Sequence, residues 1–159
     1  MPLLTFWIGT DQKSLEQHNP EGQLAMGKNI KILLIEDNPG DAYLIEEHLE
    51  EFANFLYELI IVETLGEALS TLKKKLFDVI LLDLELPDSY GINTYLSIHN
   101  KNPLIPIIIL TGLSDRTIES YARKKGAYDF LVKGQTEGRL LECIMQCSIE
   151  RRKRLSAII

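Results

Sequence analysis

Acidic, hydroxyl and basic side chains stand directly after four of the five apolar runs in the sequence. Glu36 and Asp37 follow the first run, Asp83 the third, Thr111 the fourth and Lys133 the fifth. Three carboxylates brought together repel one another and bind protons at unusually high pH unless a cation lies between them. A hard divalent ion such as Mg²⁺ relieves this repulsion, because it prefers a few carboxylates together with water. The sequence therefore predicts a divalent-cation site.

The same set of side chains suits phosphoryl transfer. An aspartate held beside a bound cation can attack phosphorus as a nucleophile. The cation and the ammonium group of Lys133 would neutralise the oxygens of the transferring group, which is most of what the reaction requires. The hydroxyl of Thr111 can donate to a remaining oxygen. Each residue alone is more often a solvated strand end or a turn residue, so the prediction depends on their joint occurrence.

The elements that position these residues alternate regularly from residue 29 onward. A segment with helical periodicity follows each apolar run, and the middle runs are apolar on both faces, as parallel strands covered on both sides must be. Thr64-Leu65-Gly66-Glu67 has the form of a capping box, and Ser114 is expected to cap a later helix. The apolar runs are 30–35, 56–62, 78–82, 105–110 and 128–132, and the last helix is expected over about residues 136–155.

This alternation predicts an α/β fold with an open parallel sheet. The site of such a sheet lies at the carboxyl ends of its strands, where the strand order reverses. The second strand, which ends at Glu63 and Thr64, is expected at the edge of the sheet and outside the site. No Gly-rich phosphate loop follows the first strand, which removes the main support for a dinucleotide-binding or P-loop protein.

Composition and charge narrow the class of protein. The chain has 159 residues, 45% of them hydrophobic, and a net charge of -6, which suits one domain with a buried core. The acidic balance argues against nucleic acid as a direct partner. No apolar stretch is long enough for a membrane span or a signal peptide. We therefore expect a cytoplasmic protein without a membrane partner.

The ends of the chain differ from its middle. Residues 1–28 are polar and lack a lasting periodicity, which predicts a poorly ordered extension or linker, although Phe6 and Trp7 could instead dock on the domain or on a partner. The domain is expected to span residues 29–155, with a tail at 156–159. Cys143 and Cys147, four residues apart, are expected to be reduced and to pack in the core or against a partner. The basic residues 151–154 suit the carboxyl end of a solvated helix.

Four motifs of the chain resemble the receiver domains of two-component response regulators. They are ILLIEDN at residues 32–38, LLDLELPD at 81–88, ILTG at 109–112 and FLVK at 130–133. The resemblance covers about residues 30–150. It implies a flavodoxin-like, doubly wound (βα)5 fold with a five-stranded parallel sheet in the order 2-1-3-4-5. It also implies a signalling phosphoacceptor rather than an enzyme, one that catalyses only its own phosphorylation and dephosphorylation.

The resemblance assigns roles to the acidic residues. It implies that Asp83 accepts a phosphoryl group from a histidine kinase or a phosphotransfer protein. Mg²⁺, or Mn²⁺ in its place, would be held by Asp37, Asp83 and the backbone carbonyl of Glu85, with Glu36 acting through water. The charge of Glu85, two residues past the acceptor, is expected to alter the dephosphorylation rate.

The resemblance also implies a conformational switch. Lys133 would pair with the phosphoryl group, Thr111 would move toward it, and Phe130 would turn inward to fill the space that Thr111 leaves. The last two helices would offer a homodimer face, as in many receivers. The chain departs from the family where Gly134 stands in place of the usual proline, and we expect a looser loop around Lys133 for that reason.

Three other classes of protein stay open at this point. A pseudo-receiver would have the same fold without phosphorylation, but all the chemical positions are filled. A metal-dependent phosphatase would need a substrate pocket, which five short loops leave little room to build. A flavodoxin-like cofactor binder would have to hold a flavin phosphate against an acidic rim. The cognate kinase, the output and any attached signalling module cannot be deduced from the sequence.

Overall fold

The computed structural model of the protein describes residues 6–8, 29–112, 116–134 and 138–158. Strands and helices alternate along the chain from residue 30, as the periodicity predicts. In chain order the elements are β1 (Phe6–Ile8), β2 (Ile30–Ile35), α1 (Pro39–Phe52), β3 (Tyr57–Val62), α2 (Leu65–Lys74), β4 (Val79–Asp83), β5 (Glu85–Leu86), β6 (Ser89–Tyr90), α3 (Ile92–His99), β7 (Ile107–Thr111), α4 (Arg116–Lys124), β8 (Asp129–Val132) and α5 (Gly138–Ile158).

The main sheet has the strand order β1-β3-β2-β4-β7-β8. From β3 to β8 every neighbouring pair is parallel. Numbered among themselves along the chain, these five strands have the order 2-1-3-4-5, so the predicted doubly wound fold is confirmed. The order reverses between β2 and β4, which places the switch point of the sheet beside the ends of these two strands.

An additional strand lies outside β3, and it confirms for residues 6–8 the alternative that Phe6 and Trp7 dock on the domain rather than form a poorly ordered extension. Phe6–Ile8 pair antiparallel with β3, and Trp7 lies opposite Leu59. The prediction that the second parallel strand forms the edge of the sheet is therefore wrong. An edge strand presents unpaired backbone N–H and C=O groups to which another segment can add, and a three-residue strand is too short to produce a recognisable period. Residues 1–5 and 9–28 of the expected extension lie outside the described residues.

Two apolar layers form the core, one on each face of the sheet. Leu33 and Ile35 of β2 belong to the layer that contains residues of α2, α3 and α4. Ile32 and Leu34 belong to the layer that contains residues of α1 and α5. Every residue of β4 is buried, and a fully buried Leu or Ile contributes about 1.5–3 kcal/mol by leaving water. This strand therefore holds its last residue, Asp83, in a rigid place.

Helix α2 is capped by its own sequence and by a neighbouring loop. The hydroxyl of Thr64 accepts from the N–H of Glu67 at 3.1 Å, as the capping box predicts. The carboxylate of Asp88, in the turn between β5 and β6, accepts from Leu65 N–H at 2.8 Å and Gly66 N–H at 3.0 Å. The first three N–H groups of the helix are thus satisfied, and the loop after Asp83 is attached to α2.

Asp88 is expected to contribute stability that depends on pH. The N–H groups of Gly66 and Leu65 hold the pKa of its carboxyl below the ordinary value of 3.8. A carboxylate with a depressed folded pKa contributes stability that is present above the ordinary value and is lost as pH falls through the folded value. Asp88→Ala should therefore cost about 0.5–1 kcal/mol near neutral pH, as expected for an exposed capping side chain, and less as pH falls through the folded pKa of Asp88. Thermal unfolding of both chains across this range measures the effect, and an equal difference at every pH would contradict it.

Helix α5 is longer than predicted, because it continues through residues 156–158 of the expected tail. Cys143 and Cys147 are both exposed on it, so a role for them in the core is wrong. They lie on a different face from Leu141, Met145 and Ile149, which are buried.

None of the helices in the described ranges combines the length and the apolar character needed to cross a membrane. The predicted capping residue Ser114 lies outside those ranges.

Candidate phosphoacceptor site

The carboxyl ends of four strands meet at one rim of the sheet and bring the predicted side chains together. Glu36 and Asp37 follow β2, Asp83 and Thr111 are the last residues of β4 and β7, and Lys133 follows β8. Glu36 is only 3% exposed and Asp83 only 5%, while Thr111 is also buried. Charged groups are rarely buried to this extent unless they are paired. The burial of these charged side chains therefore indicates that the rim is a specific site in which they are paired.

The acidic side chains at the rim form a compact cluster. Carboxylate oxygens of Glu36, Asp37 and Asp83 lie within 4.8 Å of one another. Glu85 has an exposed side chain, and its backbone N–H donates to Oδ1 of Asp83 at 2.9 Å. A few carboxylates with space for water are the donors that Mg²⁺ and Mn²⁺ prefer. The cluster therefore fits a hard divalent ion of the kind that receiver domains bind.

Lys133 is the cation that Glu36 and Asp83 of this cluster share in the structure. Its ammonium lies 2.8 Å from Oδ2 of Asp83 and 3.0 Å from Oδ2 of Asp41, and it also contacts Glu36. Burial alone would lower the pKa of Lys133, but the hydrogen bonds to Asp83, Glu36 and Asp41 outweigh it and raise the pKa above its ordinary value. The ammonium is therefore charged at every physiological pH.

Burial is the main factor that disfavours the ionised form of Glu36. Burial raises the pKa of its carboxyl to about 7, although hydrogen bonds from Lys133 and from the N–H of Asn38 oppose the shift. The charge of Asp83 raises it further. The hydrogen bonds from Lys133 and Asn38 thus do not offset the cost of burying this carboxylate beside Asp83, and a divalent cation bound here would favour its ionised form.

Asp41 is a residue of the rim that we did not predict. It lies in the first turn of α1, where its N–H donates to the side-chain oxygen of the capping residue Asn38 at 3.0 Å. The segment Asn38-Pro39-Gly40-Asp41 is a recognisable helix start. That signal places Asp41 one turn after the first strand and hence on the same rim, but it does not show that the side chain reaches Lys133.

Thr111 and Phe130, the two predicted switch residues, line one small cavity. Its volume is about 10 Å³, and Glu85, Tyr90 and Ile118 also line it. Phe130 is only 7% exposed, so its ring already lies inside the domain. The carbonyl of Thr111 accepts from the N–H of Lys133 at 2.7 Å. A shift of Thr111 would therefore be transmitted to the backbone of Lys133, whereas the predicted inward turn of Phe130 stays a prediction.

Gly134, the departure from the family pattern, has a backbone conformation that favours glycine. Its φ is +76°, whereas proline is restricted to a φ near -65°. A Cβ at this position would meet nothing within 4 Å, so the cost of a side chain arises from the backbone alone. The loop that carries Lys133 is thus built on a left-handed residue.

Gly134→Ala is expected to destabilise the protein by about 1 kcal/mol, because an L-residue with a Cβ pays this penalty in the left-handed region. Gly112→Ala is the matched control, since that glycine also has open space around it and a φ that is not positive. Denaturant unfolding of the parent and both variants measures the difference. Equal losses in the two variants would show that the conformation of Gly134 is not the cause.

The comparison with protein families identifies the class. A family model described as the response regulator receiver domain matches residues 32–145. The chain therefore belongs to the response regulator receiver family, whose members are phosphoacceptors of two-component signal transduction. The resemblance seen in the four motifs is confirmed.

Individual relatives agree with this assignment. The transcriptional regulatory protein ZraR of Salmonella typhimurium is 30% identical over 115 residues, which cover 72% of this chain and 25% of that protein. The chain thus spans about a quarter of the length of this relative. A receiver domain from Clostridium thermocellum superposes with a TM-score of 0.69 at 28% identity, covering 79% of this chain and 98% of that one. The Mn²⁺-bound form of response regulator Rcp1 has a TM-score of 0.61 at 25% identity, covering 74% and 90%.

Proposed function

We propose that Asp83 is the phosphoacceptor and that a Mg²⁺ or Mn²⁺ ion is held beside it by Glu36, Asp37 and Asp83, together with the backbone carbonyl of Glu85. The observation that supports this most strongly is the position of Asp83. It is buried at the end of β4, within the acidic cluster on one side and 2.8 Å from the ammonium of Lys133 on the other. Among the described carboxylates of this cluster, only Asp83 is fixed in both ways, by a fully buried strand and by a cation.

The proposed reaction moves a phosphoryl group from a nitrogen to an oxygen. A carboxylate oxygen of Asp83 forms a bond to phosphorus while the bond from phosphorus to the imidazole nitrogen of a phosphohistidine breaks. The imidazole leaves with the electron pair. Lys133 places positive charge where the phosphoryl oxygens gather, and the hydroxyl of Thr111 donates to another of them. The metal ion, when bound, neutralises the remaining charge.

The partner that supplies the phosphoryl group is a histidine kinase or a phosphotransfer protein. The two proteins bind each other in the cytoplasm. The chain acts on no separate substrate, so it is a signalling protein rather than an enzyme. Its phosphorylation changes the positions of Thr111 and Phe130 and thereby controls a partner or an attached signalling module.

A homodimer through α4 and α5 is a further part of this proposal. Both helices present large apolar side chains to solvent beside β8, since Tyr121 of α4 is 42% exposed and Leu140 of α5 is 48% exposed. Light scattering with and without beryllofluoride, a phosphoryl mimic, tests it. A doubled mass with the mimic would support the dimer, and an unchanged mass would contradict it.

The proposed function is tested by incubating the full chain with acetyl phosphate and Mg²⁺ and measuring its intact mass. We expect the mass of one phosphoryl group to be added, and none to be added after chelation of the metal. No added mass, together with no binding of beryllofluoride, would contradict the proposal and favour a pseudo-receiver that acts as a fixed binding module. Release of phosphate from a general phosphomonoester would instead favour a phosphatase.

A further inference from the structure

We propose that Asp41 is a positioning residue that competes with the incoming phosphoryl group for the ammonium of Lys133 and so limits the rate of phosphorylation. This inference rests on the proposed function of Asp83. The geometry that carries it is a shared ammonium, because Asp41 and Asp83 both lie within hydrogen-bond distance of the same nitrogen, at 3.0 Å and 2.8 Å.

The ammonium of Lys133 has no donor to spare. A lysine side chain has three N–H donors, and three carboxylates surround this one, from Glu36, Asp41 and Asp83. A phosphoryl oxygen on Asp83 needs one of these donors. Phosphorylation therefore requires that one of the present partners give up its hydrogen bond to Lys133.

Once the charge of Asp83 has passed to the phosphoryl oxygens, Glu36 and Asp41 still compete with these oxygens for Lys133, and Asp41 can leave at the lower cost. Its side chain is 38% exposed, whereas those of Glu36 and Asp83 are 2% and 6% exposed. A buried carboxylate that loses its partner keeps an unsatisfied charge, but an exposed one is rehydrated. Asp41 and Lys133 both line a cavity of about 420 Å³ between α1 and α5, which gives the released carboxylate room for water. Its place in the first turn of α1 also favours its negative charge.

Two consequences follow for the approach of an anionic phosphoryl donor. Asp41 keeps one donor of Lys133 occupied before the reaction, and its charge at the mouth of the site repels the donor. Both effects slow phosphorylation. An amide of the same shape removes the repulsion and weakens the hydrogen bond to Lys133, because a neutral oxygen is a poorer acceptor than a carboxylate. Because the ion pair is partly exposed, the effect should be moderate.

The test compares phosphorylation rates of the full chain and three variants with acetyl phosphate and Mg²⁺. We expect Asp41→Asn to be faster than the parent by about threefold to fivefold, and Asp41→Glu, which keeps the charge, to stay near the parent. Glu47→Gln is the matched control, since it removes one acidic charge from the exposed side of α1 and should leave the rate unchanged. An equal or slower rate in Asp41→Asn, or the same gain in Glu47→Gln, would overturn the inference.

A second measurement does not need the metal or a donor. In the metal-free chain, the Nζ resonance of Lys133 can be observed by ¹⁵N NMR and assigned with Lys133→Arg. We expect Asp41→Asn to speed the exchange of the ammonium protons with water, because one of their three acceptors is weakened. Unchanged exchange would overturn the inference even if the parent is phosphorylated as proposed. Failure of the parent to accept phosphate would instead overturn the function on which the inference rests.

Discussion

Asp83→Asn is expected to lose phosphorylation completely while keeping the fold. The amide is a poor nucleophile toward phosphorus, so no bond to the phosphoryl group forms. Its oxygen can still accept from the N–H of Glu85, now 2.9 Å from Oδ1 of Asp83, and the end of β4 stays buried. Incubation with acetyl phosphate and Mg²⁺, followed by intact mass measurement, should show no added phosphoryl group.

Asp88→Asn is the matched control for this experiment. It makes the same chemical change five residues later, at a carboxylate that caps α2 and does not contact Lys133. This control should be phosphorylated like the parent. Phosphorylation of Asp83→Asn to the level of the control would show that another residue is the acceptor.

Lys133→Gln is expected to slow phosphorylation by about a hundredfold or more, which is the usual cost of removing a group that stabilises charge in a transition state. The variant also leaves Glu36, Asp41 and Asp83 without the cation that they share. The metal-free protein should therefore lose about 1–3 kcal/mol of stability, less than for a fully buried pair because Glu36 can take up a proton. Rates with acetyl phosphate and denaturant unfolding without metal measure the two effects.

Arg139→Gln is the matched control for Lys133→Gln. Arg139 is an exposed cation near the start of α5, where it lies over the ring of Phe52, and it contacts none of the clustered acids. We expect its loss to leave the phosphorylation rate unchanged. Mg²⁺ should also restore more stability to Lys133→Gln than to the parent, since it replaces the missing cation. A rate for Lys133→Gln within about threefold of the parent would contradict the role of Lys133 in charge neutralisation.

The predicted part of the site came from one geometric rule. Parallel strands place their carboxyl ends at the same edge, so Glu36, Asp83 and Lys133 could be brought together without knowledge of any side-chain contact. The apolar runs were enough to locate these strand ends, because a middle strand that is buried on both faces is apolar along its whole length. The strand order came from the resemblance to the receiver family, whose motifs lie at those strand ends.

The features that were missed depend on packing between elements distant in sequence. Asp41 could be placed on the rim by the helix start at Asn38, but its contact with Lys133 joins residues 92 positions apart. Asp88 caps α2 across 23 positions, and nothing local distinguishes it from an ordinary turn residue. The left-handed conformation of Gly134 is compatible with the sequence but not required by it.

The short strand β1 shows a different limit. Three residues give no measurable period, and their pairing is decided by the open edge of β3 rather than by their own propensity. The strands β5 and β6 are also too short to give a period. Each has two residues, and they pair with each other. Sequence patterns thus predict elements that bury a face, and they miss elements that exist because a neighbouring backbone offers hydrogen bonds.

The most direct test of the central claim is to locate the phosphoryl group on the unaltered chain. After reaction with acetyl phosphate and Mg²⁺, borohydride reduces an aspartyl phosphate to homoserine, and peptide mass mapping then identifies the reduced position. We predict homoserine at position 83 and unmodified Glu36, Asp37 and Asp41. Homoserine at another position, or an added phosphoryl group that borohydride does not reduce, would contradict the assignment of Asp83 as the acceptor.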